Sequence, residues 1–419
     1  MRRALVIIVG AVVAALVPFS AARADSTVVV RGLGFSADSM TNLAIVGCAD
    51  LFGIGGGSPT TYLSPSPGGP AGSRSLKFDL DGGTAVGSQH RVSSMAATTV
   101  AGLSVLAPQG TSGVAYAGYQ SPEDAGTTLV WVGRAPLSVA AGPWRRLDAP
   151  ALTYRWTKYD LASRQPVDSG APTSSTVRAF MAAHGGDGAG FYALGLGCDG
   201  RPFKVDALRT GRAGDVTTYD IEGYTTATGI SGSAMRISAG DALTINGHVS
   251  SDMIGPLAQG LLVLEAQSFG EQGFKPVDGA ALEVSGGGTS ATVSPTTHTV
   301  YRWRFGGSSS AEGSVSPVFT VDVAPVVTAT PDVAAAKAGG QLAIVGTTTP
   351  ARPGTRVTLW QVGPHGPVRM GTDTTDADGA YRVTVPRGET GGFRYFVTVP
   401  AGGGNLAGQS PTQSFAPLQ

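Results

Sequence analysis

Glycine and proline cut this chain, from Leu76 to its end, into short runs rich in Val, Thr, Leu and aromatic residues. That punctuation favours β-strands over any other element. Such runs lie at 76–79, 103–106, 113–119, 127–132, 152–159, 191–196, 261–266, 300–305, 356–362, 381–385 and 393–399. Several alternate apolar with polar residues, as strands with one face on a core do. The reading is an all-β chain with one exception. Ser174 or Ser175 can cap a short helix through Val177, Phe180, Met181 and His184, stopped by Gly185-Gly186 and placed to plug an open end of a sandwich.

An internal repeat organises the C-terminal half. Ala239-Gly240-Asp241-Ala242-Leu243-Thr244-Ile245-Asn246-Gly247 reads against Ala338-Gly339-Gly340-Gln341-Leu342-Ala343-Ile344-Val345-Gly346 at an offset of 99 residues. Each copy leads to a Pro-bearing turn, a strand, and later an aromatic-basic strand, Tyr301-Arg302-Trp303-Arg304-Phe305 or Phe393-Arg394-Tyr395-Phe396. The period suits an immunoglobulin-like sandwich. On the Ala-Gly-x-x-Leu-x-Ile-x-Gly opening and the Ser294-Pro295 to Tyr301-Arg302-Trp303 close, residues 214–323 resemble a bacterial immunoglobulin-like domain. Residues 324–419 resemble the same group and, on Thr375-Asp376-Ala377-Asp378-Gly379-Ala380-Tyr381, carboxypeptidase-regulatory-like modules. The resemblance implies spacer, stalk or adhesive modules. A hinge between them is expected near 323–330, where Pro325 and Pro331 bracket the chain.

Residues 25–213 lack the repeat. The approach through Gly72-Ser73-Arg74-Ser75-Leu76-Lys77-Phe78 and the close at Phe203-Lys204-Val205-Asp206-Ala207-Leu208 resemble a galactose-binding-like jelly roll. The fold class is therefore all-β, a jelly-roll β-sandwich followed by two tandem immunoglobulin-like β-sandwiches.

Arg2-Arg3, the apolar run from Ala4 to Phe19 and Ala22-Arg23-Ala24 have the three-part layout of a secretory signal peptide, with cleavage expected after residue 24. No later stretch approaches the roughly 20 apolar residues of a transmembrane helix. A secreted, extracellular protein with no membrane span after signal cleavage is expected. Arg-dominated basic residues and abundant Ala and Gly suggest a GC-rich bacterial genome. Cys48 and Cys198 are the only cysteines, and an even count in an oxidising compartment favours a disulfide between them over a metal site.

Charged residues are 14% of the chain and balance at 29 basic against 29 acidic, with no long like-charge run. This speaks against nucleic acid or another polyanion as partner. The five histidines, His90, His184, His248, His298 and His365, are scattered and define no zinc site. Gly229-Ile230-Ser231-Gly232-Ser233 and Gly306-Gly307-Ser308-Ser309-Ser310 lack the strand and helix of a nucleophile elbow. Glu123-Asp124 reads as a solvated loop, and Asp79-Leu80-Asp81 and Asp376-Ala377-Asp378-Gly379 as turns. No catalytic residue, cofactor or metal is expected.

Trp131, Trp144, Tyr154 and Trp156 fall within 26 residues, and the period of two puts Tyr154 and Trp156 on one strand face. They are the candidate ligand-binding residues, as an aromatic platform for sugar rings, with core packing as the competing role. Trp303 and Trp360 are assigned to cores. Three functions remain open: a non-catalytic binding or adhesion protein recognising a glycan or cell-envelope component, a structural spacer without a small ligand, and, last, a polysaccharide-active enzyme.

Overall fold

The computed structural model describes residues 24–35, 39–55, 59–168, 174–333, 341–385 and 392–416. Residues 1–23 of the expected leader lie outside them, as do Ala338 to Gly340 of the repeat. The fold is all-β. The chain divides into two compact units, Met1–Glu222 and Gly223–Gln419.

The first unit begins with β1 (Ser26–Arg31), β2 (Thr41–Gly47), β3 (Thr60–Pro65), β4 (Arg74–Asp79) and β5 (Thr84–Val92). It continues through β6 (Val100–Leu106), β7 (Thr111–Tyr119), β8 (Leu129–Val139), β9 (Arg145–Asp148) and β10 (Thr153–Asp160). Strands β11 (Gln165–Asp168) and β12 (Ser175–Thr176) precede the helix α1 (Val177–Ala183), then come β13 (Gly190–Leu196), β14 (Phe203–Arg212) and β15 (Asp215–Glu222). One sheet runs β1-β15-β14-β4-β3, with β6 and β9 joined through β14; the other runs β11-β10-β8-β7-β13-β5-β2. The two pack as a sandwich, with β5 and β13 against β6 and β14.

Alternation decides which residues enter its core. On β8, Trp131, Gly133, Ala135, Leu137 and Val139 point inward, and on β10 Tyr154 and Trp156 do. Gly133 lies opposite Trp156 across the β8–β10 pair, and a Cβ there would stand 2.8 Å from Tyr154 Cβ and 3.1 Å from the indole. Only glycine leaves that space.

The helix forms where expected, but its cap is Thr176, whose hydroxyl accepts from Ala179 N; Ser174 and Ser175 lie before it. Val177, Phe180 and Met181 form its buried face. Gly186 N donates to Met181 O at 2.9 Å, closing the last turn with both Gly185 and Gly186 at positive φ. The boundary expected at residue 213 falls inside the β14–β15 hairpin. Strand β15 pairs antiparallel with β14 and parallel with β1, which places it in the first unit.

The second unit holds two hydrophobic clusters, one from Ala239 to Val323 and one from Val327 to Phe415. The repeated strands, Leu243–Ser251 and Ala343–Thr349, are equivalent inner strands of their small sheets. Their shared glycine has a packing reason. A Cβ on Gly247 would stand 2.7 Å from Trp303 Nε1, and one on Gly346 2.6 Å from Tyr381 Oη.

Trp303 is fully buried. Trp360 is not: Val357 and Leu359 take the buried positions of their strand, so alternation leaves the indole on the outer side, half-buried, with Nε1 donating to Thr398 Oγ1 at 2.8 Å. The expected hinge is braced. Asn405 Nδ2 donates to Thr296 O at 2.7 Å, Leu406 N to Val323 O at 2.8 Å and His298 N to Gly404 O at 2.6 Å.

Candidate functional site: a groove on the outer sheet face

The aromatic residues expected to form a platform lie mostly inside. Tyr154 and Trp156 are 0% and 1% exposed, and Trp131 is 8% exposed. Trp156 stacks on Phe180 of α1 at 4.1 Å, Phe180 stacks on His184 at 3.9 Å, and Trp131 meets Phe180 edge-on at 5.2 Å. Tyr154 Oη donates to Ala149 O at 2.8 Å. Rings buried in such packing cannot stack on a sugar; Trp131 and Trp156 dock the helix onto the sheet, and Tyr154 packs beside Trp156 at 5.7 Å. Trp144, half-buried between β8 and β9, is the remaining platform candidate.

Nor is Asp124 solvated, although Glu123 beside it is exposed. Asp124 is buried, 2.7 Å from Lys158 Nζ, and that ammonium lies 5.3 Å from the Trp131 ring centre. Burial alone would raise the Asp124 pKa, but bonds from Lys158 and Ser121 outweigh it and hold the carboxyl below its usual range. The Asp376 carboxylate accepts from Asp378 N and Ala380 N, the turn expected there. Among the described residues no group of three or more His, Cys, Asp or Glu side chains is arranged to hold a metal ion.

The other face of the same strands is different. Thr153, Arg155, Thr157 and Tyr159 of β10, Val132, Arg134 and Pro136 of β8, and Tyr116 of β7 line a groove of about 590 Å³. Ser174 and the segment Ala49-Asp50-Leu51 complete it. A space of this size lies within the range of small-ligand sites.

The segment beside the groove is pinned at its root. Cys48 and Cys198 form a disulfide across 150 residues of sequence. Arg134 donates to Cys48 O from Nε at 3.2 Å and Nη2 at 2.6 Å, and Tyr116 Oη donates to Gly47 O at 2.7 Å. Burial pushes the Tyr116 hydroxyl up to about 12. Below the segment lies a second apolar cluster on the outer sheet face, with Val46, Ala85, Val114, Tyr116, Val130, Val132 and Ala193 at its centre and both cysteines against it.

The Asp50 carboxylate accepts from Phe52 N at 3.0 Å, and the Tyr159 hydroxyl bonds to it. Partial burial, then the Asp50 charge and this bond, raise the Tyr159 pKa, so the phenol stays neutral and donates. The groove lies on the expected strand but on the face opposite Tyr154 and Trp156. A signal was present, since Thr153, Arg155, Thr157 and Tyr159 alternate as a polar-tipped row between the apolar residues of β10.

No protein-family model matches the chain, and no curated protein does. Among solved structures, the tetra-tandem repeat in the extending region of a large adhesion protein aligns over 94% of this chain and 99% of that one, at 12% identity and TM-score 0.26. The adhesin InvE of Yersinia pseudotuberculosis aligns over 45% of this chain and 58% of its own, at 16% identity and TM-score 0.22. At these scores neither likeness bears on the fold or the role of this chain.

Proposed function

We propose that this is a secreted, non-catalytic binding protein of the bacterial cell exterior, in which a jelly-roll-like N-terminal unit recognises a glycan or glycan-bearing envelope component. The observation that carries this reading is the groove on the outer faces of β7, β8 and β10. It combines a rigid sheet floor, hydroxyls from Thr153, Thr157 and Tyr159, and a wall fixed by a disulfide. Sugars are bound by such mixtures of planar apolar surface and convergent polar groups. The disulfide suits an oxidising compartment. Glycoside hydrolysis needs two carboxylates flanking the bond, whereas Asp50 is the one acid among the described residues that line the groove and is already hydrogen-bonded.

The second unit, with its two immunoglobulin-like halves, serves in this reading as a spacer. The bonds from Asn405, Leu406 and His298 across the junction favour a stiff strut over a flexible tether.

A screen of the full-length secreted protein against glycans and cell-wall polysaccharides tests the assignment, run beside Thr157→Arg, which fills the groove, and Trp144→Ala. Binding lost in the first variant and kept in the second, at unchanged melting temperature, is the expected result. Binding that survives Thr157→Arg and fails with Trp144→Ala would move the site to the β8–β9 segment. No binding by the folded protein would leave the spacer role alone.

A further inference from the structure

We propose that the groove is selective for an acidic sugar, its anionic group seated between Arg134 and Arg155; this rests on the groove being the glycan site. In the β8–β10 pair Arg134 and Arg155 are direct register partners, and in the β7–β8 pair Arg134 is the partner of Tyr116. The three side chains therefore form one row across the groove floor. Direct partners in an antiparallel pair have Cβ atoms roughly 5 Å apart, and like charges placed so are destabilising.

Neither guanidinium is neutralised. Arg134 bonds to the uncharged carbonyl of Cys48, and Arg155 has no hydrogen-bond or ion-pair partner among the described residues. Asp50 is turned to Phe52 N and the Tyr159 hydroxyl. Among the described residues the floor thus holds two cations side by side with no counter-charge bound to either. An oxyanion between them replaces repulsion with charge-assisted hydrogen bonds from planar guanidinium forks. Thr153 and Thr157 stand two residues either side of Arg155 on the same strand face, positioned for the hydroxyls of the same sugar. The balanced net charge of the chain does not oppose this, because the feature is one pair of residues and needs one anionic unit.

A hexuronate carboxylate and a sulfate ester supply the same chemistry. Full-length protein is titrated calorimetrically with trigalacturonate, with sulfated galactotriose and with neutral galactotriose. The expected result is that at least one charged trisaccharide binds tenfold or more tighter than the neutral one, and which one identifies the anion. Arg155→Ala should then lose at least tenfold in affinity with a melting temperature no lower than that of wild type, Arg155→Lys should recover part, and raising the salt from 50 to 500 mM should weaken binding. Equal affinity for neutral and charged sugars, indifferent to Arg155→Ala but lost in Thr157→Arg, overturns acid selectivity and keeps the glycan site. Failure of all three sugars together with the wider polysaccharide screen overturns both.

Discussion

The inner and outer faces of the N-terminal sandwich are built from the same strands on opposite principles. Inside, Trp131, Tyr154, Trp156 and Phe180 pack ring on ring, and the fully buried His90 is held by two hydroxyls, Thr41 Oγ1 at 3.0 Å and Ser88 Oγ at 3.0 Å. Outside, loops fold back over the sheets and cover charged groups. The Cys48 loop bonds Arg134 on one sheet; on the other, Asp206 accepts from Ala71, Ala207 and Ile221 amides. The inner face supplies stability by volume, whereas the outer faces hold polar groups in place through loops that must themselves be fixed.

The largest test of that contrast is the fixing bond. Closing 150 residues constrains the unfolded chain by about 5 kcal/mol on the entropy model. Cys48→Ser should lower the melting temperature of the first unit by the equivalent of several kcal/mol and weaken groove binding, while the second unit melts as before. An unchanged first transition in calorimetry would mean that the outer-face cluster stands without its clasp.

Next in size is a pair of neighbours on β10. Trp156→Ala empties space between the sheet and α1 and should cost about 4 kcal/mol, whereas Thr157→Ala, one residue on and facing out, should stay within about 0.5 kcal/mol. Equal losses in denaturant titrations would erase the distinction between the faces.

A third test uses pH, because the two faces bury opposite kinds of acid–base group. Burial pushes Asp206 up to about 7, against the pull of its amide donors, with the Asp220 charge adding to the rise. Asp220 is itself raised by burial and by Glu222. Folded protein therefore holds the Asp206 proton between pH 4 and 7 while the unfolded chain does not, and this residue makes stability fall as pH rises through that window. His90 is lowered by burial to about 4, so between pH 4 and 6.5 the unfolded chain binds the proton and stability rises with pH. The two slopes oppose each other. Each slope is about 1.4 kcal/mol per pH unit where the two windows overlap, so wild type should be nearly flat from pH 4.5 to 6.5. Asp206→Asn should expose a rise and His90→Gln a fall. Parallel profiles in both variants would show that these groups do not carry the linkage.

How much of this was legible depended on whether a local rule decided it. The strand runs, the single helix and the Cys48–Cys198 pair followed from punctuation, spacing and an even count. The helix cap was missed by one residue because Ser174, Ser175 and Thr176 all carry a capping hydroxyl, and backbone geometry alone picks among them. Period two put Tyr154 and Trp156 on one face without saying which way it turns; the aromatic content of that face, against the Thr-Arg-Thr-Tyr row, was the sign that it turns inward. Trp360 was assigned to a core as a Trp of a repeated domain, whereas alternation with the buried Val357 and Leu359 puts it on the outer side. The juxtaposition of Arg134 with Arg155 could not be read at all, since pairing between strands 21 positions apart is set by the whole sheet.

That last pair yields the smallest stability effect and the sharpest sign. Removing a surface arginine is ordinarily neutral or slightly harmful, through lost packing of its stem. Here Arg155→Ala removes one of two directly opposed cations and should raise stability at low salt by about 0.5 kcal/mol. The gain should vanish at high salt as screening shortens the reach of the repulsion. Arg155→Gln, which keeps most of the stem, should show the same salt-dependent gain. Urea titrations at low and high salt read both. A variant that is less stable than wild type at low salt would mean that the row already holds its charges in balance, and the groove would lose its reason to seek an anion.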